Sequence, residues 1–402
     1  MGPVAVIGAG FAGLAAAVAV ADAGLDVVVL EARDRVGGRV SSAQLPGGAV
    51  IERGAEFVLT GYDVMRDQLA RYGLELADTG MSYYVREPRG VGAVSAAEVA
   101  AAGRLLAAEP RPSGASVADL LDRLPLRPGV VDALRARIEI STAWSADDLD
   151  PRVVDHVADT AAAPSHRVAG GNQQLAEAMA AGLGDAVRLA RPVTHVGWTP
   201  AGAEVRCGAE VLRVDAVVLA VPLPVLRALP VEPALPAPWR LVLDRAVFGQ
   251  AAKLHVPLLR PAASSAVMSV GSRFWCWTAT GAGGAVDPVL HCFAGSPGAL
   301  RSLAVEHGPQ RWLAEVAALR PDLELDLAAA RLSTWADDPW ALGAYLADGV
   351  GSDPARDLAL TRPTGPLVLA GEHTAGEWSG LMEGALRSGL RAGGQVVDRL
   401  SG

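Results

Sequence analysis

The chain is nearly without lysine. Of 35 basic residues in 402, Lys253 is the single lysine and the other 34 are arginine. Asparagine occurs once, at Asn172, and isoleucine is scarce, so most of the deficit reflects a compositional bias toward arginine and alanine. That bias accounts for the missing lysines and leaves the surviving one to be explained. Cysteine is rare as well. Cys207, Cys276 and Cys292 are odd in number, far apart and without C-x-x-C or His/Cys spacing. This argues against a disulfide scaffold and a structural zinc site, and suits a reducing compartment. A formal charge of −9 with no basic run argues against a nucleic-acid partner, because phosphate binding needs clustered Lys and Arg. Residues 2–21 carry no charge, but no Lys or Arg precedes them and Gly8, Gly10 and Gly13 interrupt them, so neither a signal peptide nor a membrane span is expected. The expectation is a soluble, cytoplasmic protein of two or three domains, at about 100–200 residues per domain.

The pattern that is present begins as strand, tight turn, helix, strand. Val4-Ala5-Val6-Ile7 is the short apolar run of a buried parallel strand, Leu14–Ala23 is an alanine-rich helix stopped by Gly24, and Val27-Val28-Val29-Leu30 is a second strand closed by Glu31. Residues 76–160 read as mainly helical. From 168 the character is α/β again, with a helix at Gln174–Leu183, strand-like runs at 186–198, 203–207 and 210–221, and a proline-rich connector at 230–240. Strands mixed with one helix at 308–319 follow, then a strand at Leu367–Ala370, a loop, and a last helix at Met382–Leu400. This alternation predicts two interleaved domains, one made of 1–75, 165–235 and 360–402, the other of 76–164 and 236–359.

Gly8-Ala9-Gly10-Phe11-Ala12-Gly13 has the G-x-G-x-x-G form, and in a chain with 45 glycines the form alone says little. Its context is specific: it lies between a strand and a helix, and Glu31 ends the next strand 18 residues beyond Gly13. Glycines there let the backbone approach a pyrophosphate, the helix N-terminus offers N–H groups, and the acid accepts ribose hydroxyls. The run Glu31-Ala32-Arg33-Asp34-Arg35-Val36-Gly37-Gly38-Arg39 adds a second glycine turn with an arginine, which a long flavin dinucleotide can use.

These two runs resemble the FAD-binding opening of the flavin-dependent amine oxidase family, of the bacterial monoamine/polyamine oxidase-like kind. The stretch Gly371-Glu372-His373-Thr374-Ala375-Gly376-Glu377-Trp378-Ser379-Gly380-Leu381-Met382-Glu383-Gly384-Ala385 resembles that family's closing flavin motif. The resemblance implies FAD contacts by Gly371, Glu372, Leu381, Met382 and Ala385, with the helix beginning near Met382 aimed at the flavin. Arg191-Pro192-Val193 resembles the strand whose valine meets adenine, and Gly54-Ala55-Glu56-Phe57 the segment beside the flavin ring. The implied fold is α/β: a Rossmann-like FAD-binding domain of the glutathione-reductase type, with an interleaved α+β substrate domain on a mixed sheet plus helices. Nothing in 76–165 aligns with the family.

Lys253 reads as a strand residue, and the resemblance makes it the lysine that holds a water against flavin N5. A guanidinium, larger and planar, is no substitute for a compact ammonium. Trp335 and Gly343-Ala344-Tyr345 resemble the segment lining the substrate side of the flavin. Ala344 stands where covalently flavinylated members carry cysteine, which implies non-covalent FAD. Tyr345 would form one wall of an aromatic cage for an amine, with Glu56, Trp378 and Leu381 completing the pocket. Leu381 stands where monoamine oxidases often have the opposing tyrosine, a departure that counts against a simple arylalkylamine. Trp275 and Trp277 share a strand face and fit either that cavity or ordinary core.

The function expected is FAD-dependent oxidation of a C–N bond to an imine, by hydride transfer to flavin N5, with O2 as acceptor and H2O2 as product. The expected partners are a small-molecule amine and O2, with no nucleic acid or membrane, for a monomer or homodimer. Alternatives that share the fold are an L-amino-acid oxidase, a tailoring oxidase of a larger natural product, a carbon–carbon desaturase of the protoporphyrinogen or phytoene type, and a flavin-binding protein without turnover. An amino-acid oxidase needs an arginine to clamp carboxylate, and among 34 arginines none is singled out by sequence.

Overall fold

The computed structural model describes every residue except Met1, 158–162, Ala282 and 353–355. Val4–Ile7 and Val27–Leu30 are adjacent parallel strands joined by the helix Phe11–Asp22. They stand in a five-stranded parallel sheet ordered 367–369, 216–219, 4–7, 27–30, 187–188. Valine, leucine and isoleucine fill these strands because both faces are covered, so a continuous apolar run replaces alternation. The last helix, Met382–Ser401, lies along the first. Glycine permits this contact: a Cβ on Gly389 would stand 2.2 Å from the Ala12 carbonyl oxygen, and one on Gly393 would stand 2.6 Å from Ala19 Cβ.

A second sheet has six strands, ordered 331–334, 251–257, 289–295, 274–278, 265–269 and 87–89, antiparallel except at its last pair. In this register Lys253 and His255 face the same way as Phe293 and His291 on one neighbour, and Trp275 and Trp277 on the next. The helices Ala96–Ala108, Val117–Leu121 and Pro128–Thr142 cover that face.

Several stretches differ from the sequence reading: the run at 210–221 is two strands, Glu210–Val214 and Ala216–Leu219, in different sheets, and the helix Leu223–Ala228 follows them. The proline-rich segment at 230–240 is no mere connector, since the helix Ala237–Arg245 begins inside it. Pro236 caps this helix and Pro238 lies in its first turn, where a missing N–H leaves no hydrogen bond unmade. Trp239 and Leu243 then join Leu360 and Leu367 in the core of the parallel sheet. A second short helix, Pro297–Ser302, accompanies Gln310–Leu319. Among the described residues no helix is long and apolar enough to cross a membrane.

Candidate active site

A cavity of about 660 Å³ runs from the turn after the first strand to the face of the six-stranded sheet. All the candidate residues line it except Gly13, which lies behind the turn. A Cβ on Gly13 would stand 1.9 Å from the Gly8 carbonyl oxygen, so glycine there is fixed by the chain's own backbone. Gly10 is different. Its Cβ would meet nothing closer than the Gly37 oxygen at 4.0 Å, and its φ of −76° suits any residue. Packing does not ask for glycine at this position; a group drawn close to the N-terminus of the first helix does.

Beside that turn, Glu31 accepts hydrogen bonds from Ala9 N–H at 2.7 Å and Arg33 N–H at 2.9 Å, which fixes its carboxylate at the cavity wall. Arg33 pairs with Asp338 at 2.7 Å. Arg39 Nη1 donates to Glu372 at 3.0 Å and to the Ala344 carbonyl at 2.6 Å. The other oxygen of Glu372 accepts from Gly380 N–H at 2.9 Å, so this acid ties Arg39 to the 371–380 loop. That loop delivers Leu381 as the N-cap of the last helix, whose first turn opens on the cavity. Val193 lines the same end, and Trp335 donates its indole N–H to the Arg53 carbonyl at 3.0 Å. The donor set fits an adenine dinucleotide: glycine-lined backbone N–H groups, a fixed acid for ribose, two arginines and a second helix N-terminus.

At the centre Lys253 is buried, not solvated. Its Nζ donates to Glu56 Oε2 at 2.6 Å and to the Glu52 carbonyl at 2.9 Å, and lies 5.7 Å from the centre of the Trp277 ring. Asn172 meets the same segment from the other side. Its amide donates to the Glu56 carbonyl at 2.7 Å and its backbone N–H donates to Glu52 Oε1 at 2.7 Å. The chain's one lysine and one asparagine thus fix the same turn, a pairing that sequence reasoning missed for Asn172 by assigning it to composition. Arg167 Nη1 and His291 Nδ1 each stand 3.9 Å from the second oxygen of Glu56. Burial holds His255 and His291 well below the usual imidazole range, so both are neutral and neither offsets Glu56.

Burial also pushes Glu52 from its ordinary 4.5 up to about 7. The folded protein therefore keeps a proton on Glu52 that the unfolded chain loses near pH 4.5, and stability falls as pH rises between these values. Wild type is expected to lose about 1–3 kcal/mol relative to Glu52→Gln between pH 5 and pH 8, with no further divergence above that. Thermal unfolding of both proteins across that range checks it.

At the far end Tyr345 donates its hydroxyl to the Ser141 carbonyl at 2.8 Å, and burial pushes its phenol above the usual range. Trp275 and Trp277 stack with centroids 4.1 Å apart and line the cavity while packing in the core, so both readings of them hold. Tyr83, Tyr84, Arg137 and Ser141 share this wall. They come from 76–164, where spacing offered nothing to single them out.

The family model for flavin containing amine oxidoreductases matches residues 11–397. The chain is 26% identical over 444 residues to a nicotine dehydrogenase of Pseudomonas putida, covering 99% of this chain and 89% of that protein. It is 24% identical over 464 residues to flavin-containing amine oxidase B of Rattus norvegicus, covering 99% and 86%. Among solved structures, putrescine oxidase bound to putrescine is similar with a TM-score of 0.85 at 24% identity, covering 99% of each chain. Cyclohexylamine oxidase from Brevibacterium oxydans gives 0.85 at 22%, covering 100% of each. At such identities these structures speak for the fold alone.

Proposed function

The chain belongs to the flavin-containing amine oxidoreductase family and is an FAD-dependent oxidoreductase acting on amines; from this premise we propose the residues that carry the reaction. The observation that carries the assignment is one continuous cavity with Gly8, Gly10 and Glu31 at one end, Lys253 at its centre, and Tyr345 and Trp275 at the other end. Gly8, Gly10 and the N-terminus of the first helix hold the diphosphate, Glu31 the ribose, and Val193 the adenine. Arg39, Glu372 and the first turn of the last helix face the ring end, where partial positive charge favours an anion. FAD is held without a covalent bond, because Ala344 offers no nucleophile. The chemistry FAD supplies when bound is acceptance of a hydride equivalent from the C–H beside nitrogen and its return to O2 as hydrogen peroxide.

The chain's own residues do the rest. Tyr345, Trp378 and Leu381 exclude water and orient the amine, and positioning of this kind supplies a large share of the rate. Lys253 holds a water at its ammonium, and Glu56 fixes the direction of that ammonium. No side-chain base is needed when the amine binds uncharged. The segments 1–75, 165–235 and 360–402 serve the cofactor, and 76–164 with 236–359 serve the substrate. Three unpaired cysteines, all buried, support a cytoplasmic setting, as a monomer or homodimer. In an aerobic assay the expected result is one carbonyl product and one H2O2 per amine consumed; turnover without peroxide would overturn O2 as the acceptor.

A further inference from the structure

Trp378 lines the cavity, yet it is fastened by a residue that does not. Its backbone is set by the last helix. A Cβ on Gly384 would stand 2.0 Å from the Trp378 carbonyl oxygen, so the first turn of that helix lies directly against it. The ring meets three neighbours. Tyr62 approaches it edge-on, with centroids 6.0 Å apart and planes at 81°. Gly61 passes so close that a Cβ there would stand 3.2 Å from Trp378 Cη2. Arg387, in the second turn of the last helix, lies over it with its guanidinium carbon 4.8 Å from the ring centre.

Arg387 is itself anchored. Its Nε donates to Glu383 Oε1 at 2.7 Å, one turn earlier on the same helix. Glu383 is fully buried, and its two oxygens also accept from the Val64 N–H at 3.0 Å and the Met65 N–H at 2.8 Å. These N–H groups open the helix Asp63–Arg71, whose N-cap residue, Tyr62, makes no side-chain cap bond. The carboxylate is thus held by a helix N-terminus on one side and by Arg387 on the other. The guanidinium cannot leave the Trp378 ring without giving up this bond. A planar cation stacked on an indole is attracted to its face and limits how the ring can turn. The Arg387 side chain is 37% exposed, so it stands between the ring and solvent.

We propose that Arg387 limits the size of amine the cavity accepts, by holding the Trp378 ring against the substrate space from outside. This rests on the reading of the cavity as an amine-oxidising flavin site with Trp378 in its wall. Arg387 touches neither substrate nor cofactor; it is a positioning residue that acts through the indole. With the clamp in place the wall is rigid, and the substrate class is a compact amine whose far end packs on a fixed ring. Without it the ring gains room on its solvent side, and longer amines fit.

The test compares benzylamine with 4-phenylbenzylamine by anaerobic flavin reduction in the holoprotein. Arg387→Ala should shift the ratio of their efficiencies toward 4-phenylbenzylamine at least about tenfold, through the dissociation constants more than the limiting rates. Arg387→Lys, which keeps a cation on the same stem, should restore most of the wild-type ratio. Benzyltrimethylammonium and its 4-phenyl analogue, which cannot become imines, read the same wall by calorimetry without turnover. Their affinity ratio should shift in the same direction in Arg387→Ala, again about tenfold. A purely structural role would lower Tm and weaken both members of each pair alike. Ratios unchanged from wild type in Arg387→Ala would therefore overturn the assignment. Should Arg387→Ala lose its flavin, Arg387→Met decides by the same ratios. If neither amine bleaches the flavin, the amine-oxidising reading falls, and the quaternary ammonium pair still decides the role of Arg387.

Discussion

Lys253→Met is expected to slow one of the two flavin half-reactions, reduction by amine or reoxidation by O2, at least about tenfold, ~1.4 kcal/mol of barrier. Methionine keeps the length and loses the charge. The same substitution strands Glu56, which is 4% exposed and takes its short hydrogen bond from Lys253 at 2.6 Å. Removing one partner of a buried pair costs about 3–5 kcal/mol, and Arg167 nearby keeps the loss toward the lower figure. The two effects separate in a second protein. Lys253→Met combined with Glu56→Gln removes both charges, so most of the lost stability should return while the slow half-reaction stays slow. Stopped-flow flavin spectra and chemical denaturation measure the pair. Wild-type rates in both half-reactions would leave Lys253 a purely structural cation.

The second large effect distinguishes two glycines of one turn. Gly13→Val drives a side chain into the Gly8 carbonyl, and backbone on both sides cannot retreat; the Cβ alone would already stand 1.9 Å from that oxygen and 3.2 Å from Ala220 Cβ. Loss of more than about 4 kcal/mol is expected, with no FAD retained. Gly10→Ala meets nothing in the protein, so the apoprotein Tm should reflect a change within about 1 kcal/mol. Its methyl points into the cavity, and FAD affinity should fall at least about tenfold. Apoprotein melting and FAD titration check both. A Gly10→Ala protein that binds FAD as wild type does would move the diphosphate away from this turn.

The dinucleotide end was legible because its requirements are local. A strand, a glycine turn, a helix and an acid all fall within 31 residues, and the structure places each where the spacing predicts it. The last helix, expected over Met382–Leu400 after the closing glycine-rich motif, runs over Met382–Ser401, and the structure adds why Gly384, Gly389 and Gly393 stand in it: a side chain there would clash with neighbouring chain. Lys253 stood out by its rarity, but its partner did not. The ion pair with Glu56 joins positions 197 residues apart, and no local pattern encodes such a contact. Asn172 was as rare as Lys253 and yet read as composition, because a single amide has no spacing to test. The wall built by Tyr83, Arg86 and Arg137 was invisible for another reason. Tyr83 and Arg86 lie in a loop and Arg137 on the helix Pro128–Thr142, about fifty residues apart in sequence, and only the tertiary packing brings them to one wall.

The most direct measurement is anaerobic mixing of the purified protein with amines and carboxylate-bearing amines while its visible spectrum is followed. The account predicts a yellow protein whose flavin is released intact by acid, is bleached by at least one of these substrates, and recovers its colour with H2O2 when O2 is admitted. A colourless protein that FAD cannot reconstitute, or a yellow one that no amine bleaches, would contradict it.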